Sequence, residues 1–124
     1  MRIAMIGMGA VGSVFGMDLY NAYPNDFFAI ASGSRYDRLQ AEGLHVNDAR
    51  YPLRVERPAE DVAPAEVIFV CVKNYGLADA LDDMRPFVGD GTIIVPLLNG
   101  ISATPTLRAA FPQARVLFGI AMGI

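Results

Sequence analysis

The stretch IAMIGMGAVGSVFG, residues 3–16, decides the fold of this chain. An apolar run of strand length meets Gly7, two more glycines follow at fixed spacing, and a helical pattern of apolar residues begins. In a G-x-G-x-x-G between a strand and a helix, Gly7 permits the tight turn, Gly9 lets a pyrophosphate approach the backbone, and Gly12 lets the helix pack closely. The helix N-terminus offers N–H groups to phosphates. The stretch predicts a dinucleotide-binding loop; the alternative is a glycine-rich turn without a ligand.

The rest of the chain alternates apolar strands with helical patterns. Most of the strands are apolar throughout, which is typical of a parallel sheet covered on both faces. We expect a Rossmann-type, doubly wound, mainly parallel sheet with strand order 3-2-1-4-5-6. The predicted strands are 2–6, 27–32, two within 44–56, 67–72, one that follows a turn in GDGTIIVPLLNG, and 115–120. The predicted helices are 11–22, one in SRYDRLQAEGL, one in NYGLADALDDMRPF that stops at Pro86, and 104–111.

Composition narrows the functional classes. The 124 residues suit one domain, and 53% hydrophobic against 19% charged residues indicates a packed globular protein. A net charge of −3 without a basic cluster disfavours nucleic acid as a partner. Glycines break the first apolar run too early for a signal peptide or a membrane span, so we expect a cytoplasmic protein. The apolar ending GIAMGI predicts a fragment of a longer protein, and exposed apolar surface on such a fragment would allow a homodimer.

The end of the second predicted strand bears on the choice of cofactor. In NAD-binding domains, an acidic residue about 20 positions after the loop binds the ribose 2′-hydroxyl. Here that residue is Ser32, in the stretch ASGSRYDR, and no acid appears before Asp37. Hydroxyls at Ser32 and Ser34 and guanidinium groups at Arg35 and Arg38 suit a 2′-phosphate. The stretch therefore favours NADP(H), unless these arginines only begin a solvated helix.

Two polar residues follow buried strands, where ligands of open α/β sheets bind. Lys73 comes directly after VIFVCV, and Asn99 comes after TIIVPLL. A lysine there can contact a ribose hydroxyl or polarise a carbonyl, and an asparagine can orient a substrate or hold the lysine. A surface lysine and an Asn-Gly turn are the alternatives.

Other reactive residues favour structural roles. Cys71, the only cysteine, lies in an apolar stretch without a partner and suits a reducing compartment. His45, the only histidine, has no ligand cluster around it, so we expect no metal site, and its segment is predicted to lie away from the strand ends. Asp82 and Asp83 are expected to be solvated at the end of a helix face. The side chain of Met8, inside the glycine loop, is expected near the cofactor.

Four stretches together resemble the N-terminal domain of the ketopantoate reductase (2-dehydropantoate 2-reductase) family. They are RIAMIGMGAVGSVFG, FVCVKNYGLADAL, RPFVGDGTIIVPLLNGI and ARVLFGIA, and they span nearly the whole chain in the expected order. The Val-Lys pair and the L-x-N-G-I run are more specific than the glycine loop.

The resemblance implies an NADPH-dependent enzyme that reduces a 2-keto acid, 2-dehydropantoate, to pantoate on the way to pantothenate and coenzyme A. It implies that Arg35 meets the 2′-phosphate, that Lys73 lies close to cofactor and substrate, and that Asn99 helps orient the substrate. Lys73 and Asn99 are thus the candidate catalytic residues. The candidate cofactor contacts are Gly7, Met8, Gly9, Ala10, Val11, Gly12, Ser32, Ser34, Arg35, Lys73 and Asn99.

The chain also departs from the family, whose second, all-helical domain carries the general-acid lysine and further substrate contacts. The chain alone, residues 1–124, is therefore expected to bind cofactor weakly and not to turn over. Two alternatives stay open. One is another NAD(P)-dependent dehydrogenase of the 6-phosphogluconate or glycerol-3-phosphate type. The other is a non-enzymatic module that senses NADP(H) and regulates a partner.

Overall fold

A computed structural model of the chain describes residues 1–7, 10–46, 48–72, 76–97 and 103–117. Strands and helices alternate along the described chain except between α2 and α3, where four strands follow one another. The strands are β1 Ile3–Ile6, β2 Phe27–Ile30, β3 Leu44–Val46, β4 Ala49–Tyr51, β5 Arg54–Glu56, β6 Ala65–Val70, β7 Val88–Pro96 and β8 Arg115–Val116. The helices are α1 Ala10–Ala22, α2 Gly33–Glu42, α3 Leu77–Met84 and α4 Ala103–Ala110, and a single 3-10 turn, Arg85–Phe87, follows α3.

Six strands form one sheet in the order β5-β2-β1-β6-β7-β8, and β3 pairs with β4 in a separate antiparallel hairpin. Every pairing in the large sheet is parallel. If β5 counts as the third strand, this is the predicted order 3-2-1-4-5-6. The order reverses between β1 and β6, so a crevice opens there beyond the carboxyl ends of the strands.

The two faces of the sheet hold separate apolar cores, because successive side chains of a strand point to opposite faces. All four residues of β1 and all four of β2 are buried. On one face Ala4 and Ile6 pack with residues of α3 and α4. On the other face Ile3 and Met5 pack with residues of α1, α2 and the β3–β4 hairpin. No helix among the described residues is long and apolar enough to cross a membrane.

Two local predictions were wrong. The segment 44–56 holds three strands rather than two, because the third, Arg54–Glu56, leaves the hairpin and pairs with β2 at the edge of the sheet. The Gly-Asp-Gly sequence before TIIVP lies inside β7 rather than in a turn before it, at an irregularity in the pairing with β6. There the Thr92 hydroxyl accepts from the Gly89 N–H at 2.9 Å and donates to the Ala65 carbonyl at 2.8 Å, which replaces regular strand hydrogen bonds.

Candidate functional site

A cavity of about 940 Å³ lies at the carboxyl ends of β1, β2 and β6. The two helices that follow β2 and β6, α2 and α3, form its walls. It brings together four of the predicted cofactor contacts: Gly7, Ser32, Ser34 and Arg35. The cavity therefore occupies the position in which open α/β sheets bind their ligands.

The floor of the cavity depends on Gly7. Its φ is +92°, a conformation that side chains other than glycine's disfavour. A Cβ built on Gly7 would lie 2.7 Å from the Cys71 carbonyl carbon, 2.7 Å from the Val72 nitrogen and 2.7 Å from Val72 Cγ1. The Cys71 N–H donates to the Ile6 carbonyl at 2.8 Å, which holds the two chain segments together. Only glycine allows the chain after β6 to pass this close to the end of β1.

The glycine loop connects β1 to α1 in the predicted order. Helix α1 begins at Ala10, so Ala10, Val11 and Gly12 lie in its first turn. Met8 and Gly9 lie outside the described residues. The first glycine and the helix start thus stand as the sequence predicts, while contacts of the five loop residues with a cofactor stay predictions.

The second wall of the cavity is the N-terminus of α2. Ser32 precedes the helix with an extended backbone, and its hydroxyl makes no capping hydrogen bond to the helix. The next residue, Gly33, has a φ of +58°, and a Cβ on it would meet nothing within 4 Å. The first N–H groups of α2 thus lack a side-chain cap beside open space, which is the local arrangement that favours an anion.

Helix α2 also carries two cations. Arg35 and Arg38 are exposed on α2 and line the cavity. Among the described residues, neither guanidinium has a hydrogen-bond or ion-pair partner. Ser34 lines the same wall. Two unpaired guanidinium groups beside an uncapped helix start make this end of the cavity suitable for a phosphate.

Helix α3 brings carboxylates to the cavity that sequence reasoning missed. Asp79 and Asp83 both line it, and Asp83 Oδ2 accepts a hydrogen bond from Ser32 Oγ at 2.9 Å. Asp82 is 81% exposed, as predicted, and Asp83 is partly exposed, but its hydrogen bond to Ser32 was not predicted. No local pattern signals this contact, because Ser32 and Asp83 are 51 positions apart and meet only through the packing of α3 on the sheet.

His45 also differs from its predicted placement. It is exposed on β3 and lines the cavity instead of lying away from the strand ends. The described part of the chain contains no group of three or more metal-ligating side chains. His45 is therefore a wall residue of the cavity.

Cys71 lies one residue beyond β6. Its half-buried side chain lines the cavity and packs against the core that contains Ile3 and Met5. Burial raises the pKa of the Cys71 thiol from 9.0 to about 12. A thiol that stays protonated at neutral pH is a poor nucleophile, which agrees with the structural role predicted for it.

The candidate catalytic residues, Lys73 and Asn99, lie outside the described residues. The strands that precede them do end side by side, since Val70 of β6 is paired with Pro96 of β7. Each candidate follows its strand by three positions. Their predicted roles stay predictions.

Comparison with known proteins decides the family. A family model described as ketopantoate reductase PanE/ApbA matches residues 3–123. The chain belongs to this family. It is 30% identical over 105 residues to a 2-dehydropantoate 2-reductase of Mesorhizobium japonicum, covering 82% of this chain and 32% of that protein.

Solved structures support the same fold. The PanE/ApbA family ketopantoate reductase of Ralstonia eutropha JMP134 has a TM-score of 0.77 at 26% identity, over 94% of this chain and 40% of that one. A D-mandelate dehydrogenase solved with NADH and anilino(oxo)acetate has a TM-score of 0.79 at 23% identity, over 94% of this chain and 40% of that one. The chain thus spans well under half the length of these relatives and has the Rossmann-like fold of their N-terminal parts.

Proposed function

We propose that this chain is the NADPH-binding part of an enzyme that reduces a 2-keto acid, with 2-dehydropantoate as substrate and pantoate as product. The observation that carries the proposal is the cavity beyond β1, β2 and β6. Gly7, which packs against the chain after β6, lines this cavity together with Arg35 and Arg38. Membership in the ketopantoate reductase family and the named reductase relative support the reaction type.

The cavity suits a dinucleotide in size and in charge. Its volume of about 940 Å³ is at the upper end of the range for small-molecule sites, which runs from about 300 to 1,000 Å³. The pyrophosphate belongs at the glycine loop and the start of α1, where N–H groups and the helix dipole favour negative charge. The 2′-phosphate belongs at the other end, beside Ser34 and Arg35.

The bound cofactor would supply the hydride. This chain's contribution to the reduction is to hold the nicotinamide at the carboxyl ends of β6 and β7 and to stabilise negative charge at the keto oxygen. We assign the second task to Lys73, as a positive charge beside the carbonyl, and assign the orientation of the substrate to Asn99.

Titration of the chain with NADPH and with NADH, by calorimetry, tests the cofactor assignment. We expect measurable binding of NADPH and a loss of about tenfold in NADPH affinity for Arg35→Ala. Arg115→Ala is the matched control, because Arg115 is exposed on β8 at the far edge of the sheet. Equal losses in both variants would refute the role of Arg35, and no binding of either dinucleotide would refute the cofactor site.

Activity is tested on a polypeptide that contains this chain and matches the length of its relatives. We expect NADPH oxidation with 2-dehydropantoate, formation of pantoate, and a large loss of kcat in Lys73→Ala. Reduction of other 2-keto acids but not of 2-dehydropantoate would refute the proposed substrate and leave the proposed reaction type standing. Oxidation of a phosphorylated hydroxy acid in place of any keto-acid reduction would overturn the proposed reaction.

A further inference from the structure

The contact between Ser32 and Asp83 alters the expected chemistry at the 2′ position of the ribose. The preference for a 2′-phosphate was predicted from the absence of a carboxylate near the end of β2. The structure brings one there from α3, with Asp83 Oδ2 at 2.9 Å from Ser32 Oγ. The inference below rests on the proposed cofactor site and concerns which dinucleotide that site accepts.

Asp83 is held in place by its own helix. Leu77, Ala80 and Met84 of α3 are buried in the core on one face of the sheet, and Met84 is fully buried. Asp83 follows Ala80 by one helical turn and directly precedes Met84, so it lies beside this buried stripe. Core packing therefore fixes the backbone position of Asp83 beside the cavity, and the exposed hydrogen bond with Ser32 orients its carboxylate.

The hydrogen bond also sets the direction in which Ser32 can bind a ligand. A serine hydroxyl has one proton to donate and two lone pairs that accept. Since a carboxylate only accepts, Ser32 must donate its proton to Asp83. What Ser32 can still offer a ligand is an acceptor, which suits a ribose 2′-hydroxyl and not a 2′-phosphate.

The negative charge of Asp83 also disfavours a 2′-phosphate. A phosphate bound next to Ser32 would lie within a few ångströms of the Asp83 carboxylate, and like charges at that range repel. The charged lining of the cavity among the described residues comprises Arg35, Arg38 and Glu42 on α2 and Asp79 and Asp83 on α3. The arginines attract the phosphate, and Asp83 repels it beside Ser32, whose hydroxyl is already bonded to Asp83.

We propose that Asp83 is a specificity-determining residue that takes the place of the acidic residue missing at the end of β2. Its carboxylate and the Ser32 oxygen share the one proton of the NADH 2′-hydroxyl in a three-centre hydrogen bond, while Arg35 attracts the 2′-phosphate of NADPH. The site therefore accepts both dinucleotides, and its preference for NADPH is smaller than the two arginines alone would produce.

The test is the ratio of the dissociation constants for NADH and NADPH, measured on the wild-type chain and on Asp83→Asn. We expect Asp83→Asn to raise the preference for NADPH about tenfold, mainly through tighter NADPH binding. Asp82→Asn removes the same charge from the neighbouring residue, which does not line the cavity and whose Oδ1 lies 3.8 Å from Arg85 Nη2. We expect it to leave the ratio unchanged.

Ser32→Ala is an independent test, because it removes the hydrogen-bond acceptor without changing the charge of the cavity. We expect it to weaken the binding of NADH more than the binding of NADPH. Asp83→Ala repeats the main test in case Asp83→Asn folds poorly, as checked by circular dichroism. If both dinucleotides bind and Asp83→Asn leaves the ratio unchanged, or shifts it no more than Asp82→Asn, the role of Asp83 is refuted and the cofactor site stands. If neither dinucleotide binds the wild-type chain, the proposed function fails and this inference fails with it.

Discussion

The close approach of two strand ends at Gly7 predicts that Gly7→Ala destabilises the chain far more than the same change at Gly33. Both glycines have positive φ, +92° and +58°, so alanine costs about 1–2 kcal/mol at either position. At Gly33 the added methyl meets nothing within 4 Å, whereas at Gly7 it meets two backbone atoms and Val72 Cγ1 at 2.7 Å. Overpacking of this kind adds about 1–3 kcal/mol. We expect losses of about 2–5 kcal/mol for Gly7→Ala and about 1–2 kcal/mol for Gly33→Ala.

Urea unfolding followed by far-ultraviolet circular dichroism measures both losses. Val72→Ala, combined with Gly7→Ala, removes one of the three clashing atoms and leaves the two backbone atoms, so we expect partial rescue in a double-mutant cycle. If Gly7→Ala alone is too unstable to measure, recovery of folding in the double variant still shows the clash. Equal losses at Gly7 and Gly33, together with no coupling between Gly7 and Val72, would refute the proximity of the two strand ends.

Three further predictions concern stability and reactivity. Thr92→Val should lower the free energy of unfolding by about 1–3 kcal/mol, because the buried hydroxyl is hydrogen-bonded to both Gly89 and Ala65. Urea unfolding measures the loss, and an unchanged free energy of unfolding would contradict these two hydrogen bonds. Burial raises the pKa of Cys71 from 9.0 to about 12, so iodoacetamide should alkylate the folded chain at neutral pH much more slowly than the chain in urea. Because the folded pKa exceeds the unfolded one, the stabilising contribution of Cys71 is present below pH 9.0 and is lost as the pH rises toward about 12, a loss that Cys71→Ala should abolish.

The sequence predicts the large sheet well because its central strands are mostly apolar and its glycine loop fixes the first strand–helix connection. Helix α1 begins within one residue of its predicted start, and the strand order agrees. The strand at Arg54–Glu56 was not separated from the hairpin, because three residues with only Val55 buried carry no clear periodicity. Its pairing with β2 is a property of the assembled sheet.

The residues of the candidate site likewise comprise some that the sequence located and some that it missed. Gly7, Ser32, Ser34 and Arg35 meet at one cavity because each stands at the end of a strand or the start of a helix, which the sequence pattern locates. Asp83 was missed because its role depends on how α3 packs across the sheet. His45 was missed because the β3–β4 hairpin returns it to the cavity wall, which no local spacing indicates.

The central claim is that the cavity beyond the carboxyl ends of β1, β2 and β6 binds a dinucleotide. A nitrogen-15 NMR titration of the chain with NADPH tests it directly, since each backbone amide reports on its own surroundings. We predict saturable shifts at the amides of Gly7, Gly33 and Val72. A second cavity of about 390 Å³, lined by Met1, Pro64 and Thr92 among others, serves as an internal control. Shifts centred on that second cavity, or no saturable shift at the first, would contradict the account.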